Sequence, residues 1–231
     1  MSTTSLLVQS LPVLAQGAVL TVKFAVLSMV FGLMGAVVLA MMGIRQSDGI
    51  TSGVERVVVN TLAALARAYV SVMRGTPLLV QIFVIYYGLP SLGISLDPTP
   101  AGVIALSANV AAYMSESMRG AINGIHRGQW LAAYSLGLSW GQTLRYVIGP
   151  QALRIAVPSL SNSLISLIKD TSLVSVITVT ELLRSAQEVI AATYQPLPLY
   201  LAAAAVYWVL CQILEWVQRW YEKRLSLPAR H

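Results

Sequence analysis

Several ionisable side chains stand in stretches otherwise apolar enough to lie in lipid, among them Arg67, Arg74, Glu116, Lys169 and Asp170; Lys23 lies near one end of its stretch, where its side chain can reach the headgroups. An ionised group at the centre of a bilayer costs about 2.5–3.5 kcal/mol on insertion scales, so each is expected to be paired or used. At helical spacing, Asn109, Tyr113 and Glu116 share one face, and Asn162, Ser166, Lys169 and Asp170 share another. A guanidinium donates to anions, and carboxylates and amides accept from cations. Arg74, Gln81, Glu116, Asn162, Ser166 and Asp170 therefore form a candidate lining for a polar path at mid-membrane. The same ions could instead pair within the bundle and lock helix packing. That reading is strongest for Lys169 and Asp170, which are adjacent in the chain.

Other chemistries are missing from the sequence. It contains no G-x-x-x-x-G-K-[ST] phosphate loop, so energy from ATP has to enter through a partner. His126 and His231 are isolated, and Cys211 is the single cysteine, so neither a metal cluster nor an intrachain disulfide is expected. Nothing resembles a catalytic triad or a pair of acid–base carboxylates. The chain is expected to be neither an enzyme nor the holder of a cofactor of its own.

The elements that must carry these residues follow from composition. Hydrophobic residues make up 56% of the 231 and charged residues only 10%, against about 25% charge in a soluble domain. A helix crosses the hydrocarbon core with roughly 20 apolar residues. The expectation is an all-α integral membrane protein, one domain, with about five transmembrane helices. The spans are placed near 17–43, 54–90, 101–118, 158–179 and 199–217. Ser5 to Gln16, interrupted by Pro12, reads as an interfacial lead-in. The 54–90 region is too long for one span and divides at Gly75-Thr76-Pro77, where proline removes a donor and disfavours a helical residue before it. Pro158 is expected in the first turn of the fourth span, and residues 188–198 in a loop.

Charge sets the orientation. Alternating spans leave ten basic residues on one side: Arg45, Arg56, Arg119, Arg127, Arg145, Arg154, Arg219, Lys223, Arg224 and Arg230. The opposite segments, 1–16, 91–99 and 188–198, hold none. The positive-inside rule then puts the amino terminus outside and the long polar stretch 119–154 and the carboxy terminus in the cytoplasm. A net charge of +6 so distributed points to membrane orientation rather than to nucleic acid.

The polar stretch contains Leu131-Ala132-Ala133, then Gly137, then Val147, Gly149 and Pro150. This resembles the conserved cytoplasmic loop of ABC importer permeases, whose pattern is Glu-Ala-Ala, three residues, Gly, nine residues, Ile, one residue, Leu-Pro. Leu131 stands at the Glu position and Gly149 at the Leu position. Arg74-Gly75-Thr76-Pro77-Leu78-Leu79-Val80-Gln81 resembles the signature of the polar amino acid subgroup. So do Ala112 to Gly120 and Leu164 to Leu173, in the family's order. Tyr86 to Pro90 and the turn from Gly93 to Pro98 are similar to the L-cystine permeases.

The resemblance implies a type I ABC importer permease (MetI-like) fold with cytoplasmic coupling helices bent at Gly137. It implies Gln129, Leu131, Ala132, Ala133, Gly137 and Pro150 at the contact with an ABC ATP-binding subunit dimer, which would hold ATP and Mg. It further implies a periplasmic or extracellular amino acid-binding protein, a second permease copy as homodimer or close paralogue, and a bacterial inner membrane. A zwitterionic amino acid would match a path holding both cations and anions. The rival expectation is a self-sufficient secondary transporter or channel that uses the intramembrane charges.

Overall fold

The computed structural model describes residues 3–44 and 53–225, all as helices and short connections. Arg45 and Arg230, counted in the charge bias, lie outside the described residues. Helix α1 (Thr3–Ile44) is followed by α2 (Gly53–Gly75) and α3 (Leu78–Phe83). A π-turn (Val84–Gly88) and a 3-10 turn (Leu89–Leu92) extend α3. Then come α4 (Pro98–Asn123), α5 (Arg127–Ser135) and α6 (Trp140–Thr143). A second π-turn (Leu144–Ile148) carries α6 into α7 (Gly149–Asp170). A 3-10 turn (Thr171–Ile177), α8 (Leu182–Thr193) and α9 (Pro196–Leu225) complete the fold.

Helix α4 is the axle of the bundle. It packs on α1, α2, α3 and α7, and its small residues Ala101, Ala105, Ala111 and Ala112 are buried. Close approach has specific causes. A Cβ added to Gly32 of α1 would fall 2.3 Å from Val110 of α4. One added to Gly17 would fall 2.6 Å from the Ser185 hydroxyl of α8. Without a hydrophobic drive between helices in lipid, such small-residue contacts are what let backbones pack.

By length and apolarity alone, α1, α2 and α9 qualify to cross a bilayer, and the bent helix pair 140–177 with 182–193 adds a fourth. Helix α4 has 26 residues, about 39 Å at 1.5 Å per residue, but carries the polar stripe that lowers its hydropathy. Most of its apolar residues face protein, although Ile104 is exposed, and the outward faces of α1 and α9 expose Val30, Phe31, Met34, Trp208, Ile213 and Trp216. The fold is thus an all-helical membrane bundle with an apolar buried core that includes Phe24, Ile82, Leu106, Met114 and Ile168.

Several elements differ from expectation. Pro12 does not interrupt α1, which runs unbroken through residues 5–16. A helix-interior proline costs one backbone bond and a steric clash, and the packed neighbours of α1 absorb that cost: Leu6 and Leu14 on either side are fully buried. Pro158 sits inside α7, and it is Pro150 that occupies the first turn. The stretch preceding Pro196 is helix α8, which starts at Leu182. The polar stretch 119–154, by contrast, is helical as the resemblance implied, with the end of α4, all of α5 and α6, and the start of α7.

Candidate functional site

The break at Gly75-Thr76-Pro77 is where the site begins. Pro77 is extended (φ −62°, ψ 135°) and opens α3. The side chain of Gln81 turns back across the break. Its Nε2 donates to the Met73 carbonyl at 2.8 Å, the Thr76 carbonyl at 3.1 Å and the Thr76 hydroxyl at 2.8 Å. Asn109 of α4 donates to Gln81 Oε1 at 3.0 Å. These bonds satisfy carbonyls freed by the helix break, as lipid-embedded backbone requires. Gln81 is therefore a buried clamp behind the wall rather than part of the lining.

In front of that clamp lies a groove of about 770 Å³ between the α2–α3 break, α4 and α7. It brings together Arg74, Glu116, Asn162, Ser166 and Asp170, five of the six residues expected on a polar path. Glu116 accepts two bonds from Arg119, at 2.9 and 2.7 Å. Arg74, 42 residues away in sequence, reaches Glu116 at 3.4 Å. The Arg74 guanidinium also lies 5.5 Å from the centre of the Tyr113 ring, within cation–π range. Helix spacing then extends the stripe along α7, from Ser159 through Asn162, Ser163 and Ser166 to Asp170. Ser117 and Ser159 share a hydrogen bond of 2.7 Å that ties α4 to α7.

Sequence reasoning did not include Tyr113, Ser159 and Ser163 in the lining. The signal was there: each continues a polar stripe at i+3 or i+4 from a residue that was included. Lys169 turns the other way, into a crevice of about 400 Å³ shared with Glu215, Gln218 and Arg219 of α9. Lys169 and Asp170 therefore serve different surfaces.

Glu181 carries no motif that sequence reasoning could single out. It is fully buried and caps α8, accepting from the Leu183 and Arg184 backbone N–H groups at 3.0 and 2.7 Å. Tyr207 of α9 also donates to it, and Thr21 of α1 accepts from the Leu182 N–H at 3.0 Å. The capped end of α8 thus joins α1 and α9. Its one sequence signature is a lone acidic residue at the end of an apolar run.

At the far end, the polar loop is a compact hairpin of two short helices. His126 caps α5, accepting from Gly128 N–H at 3.1 Å. Helix α5 closes in a Schellman arrangement, with Leu138 N–H to Ala133 O at 3.2 Å and Gly137 N–H to Tyr134 O at 2.9 Å. Gly137 sits at φ +76°, where only glycine is free of steric cost. Ser139 and Gln142 then form a reciprocal capping box on α6. Ala133 faces inward and is buried, while Ala132, Leu131 and Leu136 face out. Leu131 is 64% and Leu136 81% exposed, an apolar display beyond the bundle. Gln129 accepts from Gln151 at 3.5 Å, linking α5 to α7.

Gly149, at the position where the family pattern has Leu, has a structural reason. A Cβ there would lie 2.6 Å from the Leu144 carbonyl, to which the Gly149 N–H is bonded across the π-turn. Pro150, one residue on, starts α7 where no helical donor is needed.

The structure thus combines a polar groove within an apolar bundle with a compact two-helix hairpin displayed at one end. The chain matches the model of the family described as binding-protein-dependent transport system inner membrane component over residues 49–227, and it belongs to that family. It is 44% identical over 216 residues to the L-cystine transport system permease protein TcyB of Bacillus subtilis, covering 93% of this chain and 87% of that one. The crystal structure of an amino acid ABC transporter with histidines superposes with a TM-score of 0.87 at 32% identity, covering 97% of this chain and 99% of that one. An inward-facing MetNI methionine ABC transporter shares the fold, with a TM-score of 0.76 at 18% identity, covering 98% and 100%. The chain is therefore the multi-pass inner-membrane permease of an ABC importer. Hydrolysis of ATP belongs to a partner subunit, and the secondary-transporter alternative is not favoured.

Proposed function

We propose that this permease moves a polar, zwitterionic amino acid, of the L-cystine class, through the groove between the α2–α3 break, α4 and α7. One observation carries the reading. Arg74 faces the groove together with Glu116 and Asp170, with Asn162 and Ser166 between them. A cation to meet a carboxylate and anions to meet an ammonium are thereby held in one space. The likeness to TcyB along nearly the whole chain supports the substrate class.

Two copies, or this chain and a close paralogue, would form the permease pair. The amino terminus would lie outside and the hairpin in the cytoplasm. ATP binding would close the ATPase pair, and α5 would pass that motion through the Gln129–Gln151 link and the π-turn to α7, which lines the groove. The Leu131, Ala132, Leu136 and Gly137 surface would seat in the ATPase. A binding protein on the opposite side would deliver the amino acid.

The test is uptake by proteoliposomes holding the permease, its ATPase and its binding protein. Glu116→Gln and Asp170→Asn are expected to raise KM for cystine at least tenfold while the complex still assembles. Unchanged KM with normal assembly would remove the groove from the substrate path.

A further inference from the structure

A second cavity, of about 320 Å³, opens on the other side of the Arg74–Glu116 pair, between α1, α2 and α4. Three guanidinium groups line it: Arg67 and Arg74 from α2 and Arg119 from α4. Among the described residues, one anion lines it, Glu116, and that carboxylate is already bonded twice to Arg119 and once to Arg74. Each guanidinium carries five N–H donors, so most of the donors remain. Among the described residues, Arg67 has no hydrogen-bond or ion-pair partner, although it lies within a helix apolar enough to cross a bilayer. A cation in that setting calls for an anion.

The rest of the cavity identifies which anion. The remaining lining is mostly small or apolar, Leu39, Ala40, Gly43, Ala66 and Val70, with Ser71 and Ser115 as its other polar residues. The small residues leave room for a ligand. The outward face of the same stretch of α1 is apolar, with Val37, Val38 and Met41 exposed. A soluble anion would meet the arginines but gain nothing from that apolar flank. A phospholipid would place its phosphate among the guanidinium groups and its acyl chains along α1. Basic pockets between membrane helices bind anionic headgroups on this principle.

We propose that the cavity between α1, α2 and α4 is a binding site for the phosphate of an anionic phospholipid headgroup, gripped by Arg67 with Arg74 and Arg119. Because Arg74 and Glu116 line both cavities, the bound headgroup competes with Glu116 for Arg74 and so bears on the groove. The leaflet follows from the orientation proposed above, whereas the binding does not depend on it.

The experiment is native mass spectrometry of the intact permease–ATPase complex, titrated with phosphatidylglycerol or phosphatidylcholine. Wild type should retain phosphatidylglycerol preferentially. Arg67→Gln should weaken that binding about fivefold, the equivalent of about 1 kcal/mol for one basic residue at an anionic surface. Arg56→Gln, on the same helix but outside the cavity, should leave it unchanged, and Arg67→Lys should recover part of the loss. Millimolar inorganic phosphate should not displace the lipid. Equal effects of the two glutamine variants, or equal retention of the two lipids, would overturn the site. Displacement by inorganic phosphate would overturn the assignment to lipid.

Discussion

Replacing Gly137 by alanine isolates the backbone geometry of the hairpin from everything else. Its φ is +76°, and no heavy atom lies within 4 Å of where a Cβ would stand. The substitution therefore creates no clash, only the intrinsic cost of a left-handed residue, about 1–2 kcal/mol. At 1.4 kcal/mol per factor of ten, the bent form loses roughly five- to thirtyfold against any straighter alternative. Asparagine tolerates the left-handed region and should cost less. Proline holds φ near −65° and has no N–H. It would also lose the bond to Tyr134 O, 2.9 Å in the native hairpin, for a cost of about 3 kcal/mol or more. Gly141 supplies the control. It lies within α6, also with open space around its Cβ position but without a positive φ. Alanine there should be neutral or favourable, since helical glycine costs about 1 kcal/mol relative to alanine. The assay is amino acid imported per ATP hydrolysed in proteoliposomes containing the full complex. The expected order is wild type, close to Gly141→Ala, then Gly137→Asn, Gly137→Ala and Gly137→Pro, with coupling lost in the last. Equal coupling in Gly137→Ala and Gly141→Ala would refute the claim that the left-handed bend transmits the motion.

Three further substitutions follow from contacts elsewhere. Gly149→Ala should lower the thermal midpoint of the purified permease, because its Cβ would press on the Leu144 carbonyl at 2.6 Å; overpacking of this kind costs about 1–3 kcal/mol, and an unchanged midpoint would mean the π-turn yields freely. Glu181→Ala should also destabilise, by about 1–3 kcal/mol for each buried group left unpaired, since the Leu183 and Arg184 N–H groups both depend on it; thermal unfolding in lipid measures this. Gln81→Ala should lower stability by opening the α2–α3 break while leaving KM for the amino acid nearly unchanged, which separates a clamp from a substrate ligand; a large KM shift at normal stability would reverse that assignment.

Patterns local in the chain are legible from the residues alone. Gly75-Thr76-Pro77 announces a break because proline acts on its own neighbours, whereas the bend at Gly137 was implied by the family resemblance, since glycine by itself only permits a positive φ. The polar stripes on α4 and α7 are readable because helical periodicity places i+3 and i+4 residues together. The apolar excess decides the solvent, since transferring a segment into lipid depends on its own composition.

Tertiary structure decides which polar group meets which. Glu116 is held by Arg119 three residues away and Arg74 from another helix, and periodicity on α4 could not choose between them. Gln81 has the chemistry of a lining residue, but the broken helix end supplies carbonyls that claim its amide. Pro12 and Pro158 stay inside helices because packing outweighs the local penalty. The burial of Glu181 makes sense only with α1, α8 and α9 together. A segment's sequence reports what it costs to bury, whereas the partners that offset that cost come from elements distant in the chain.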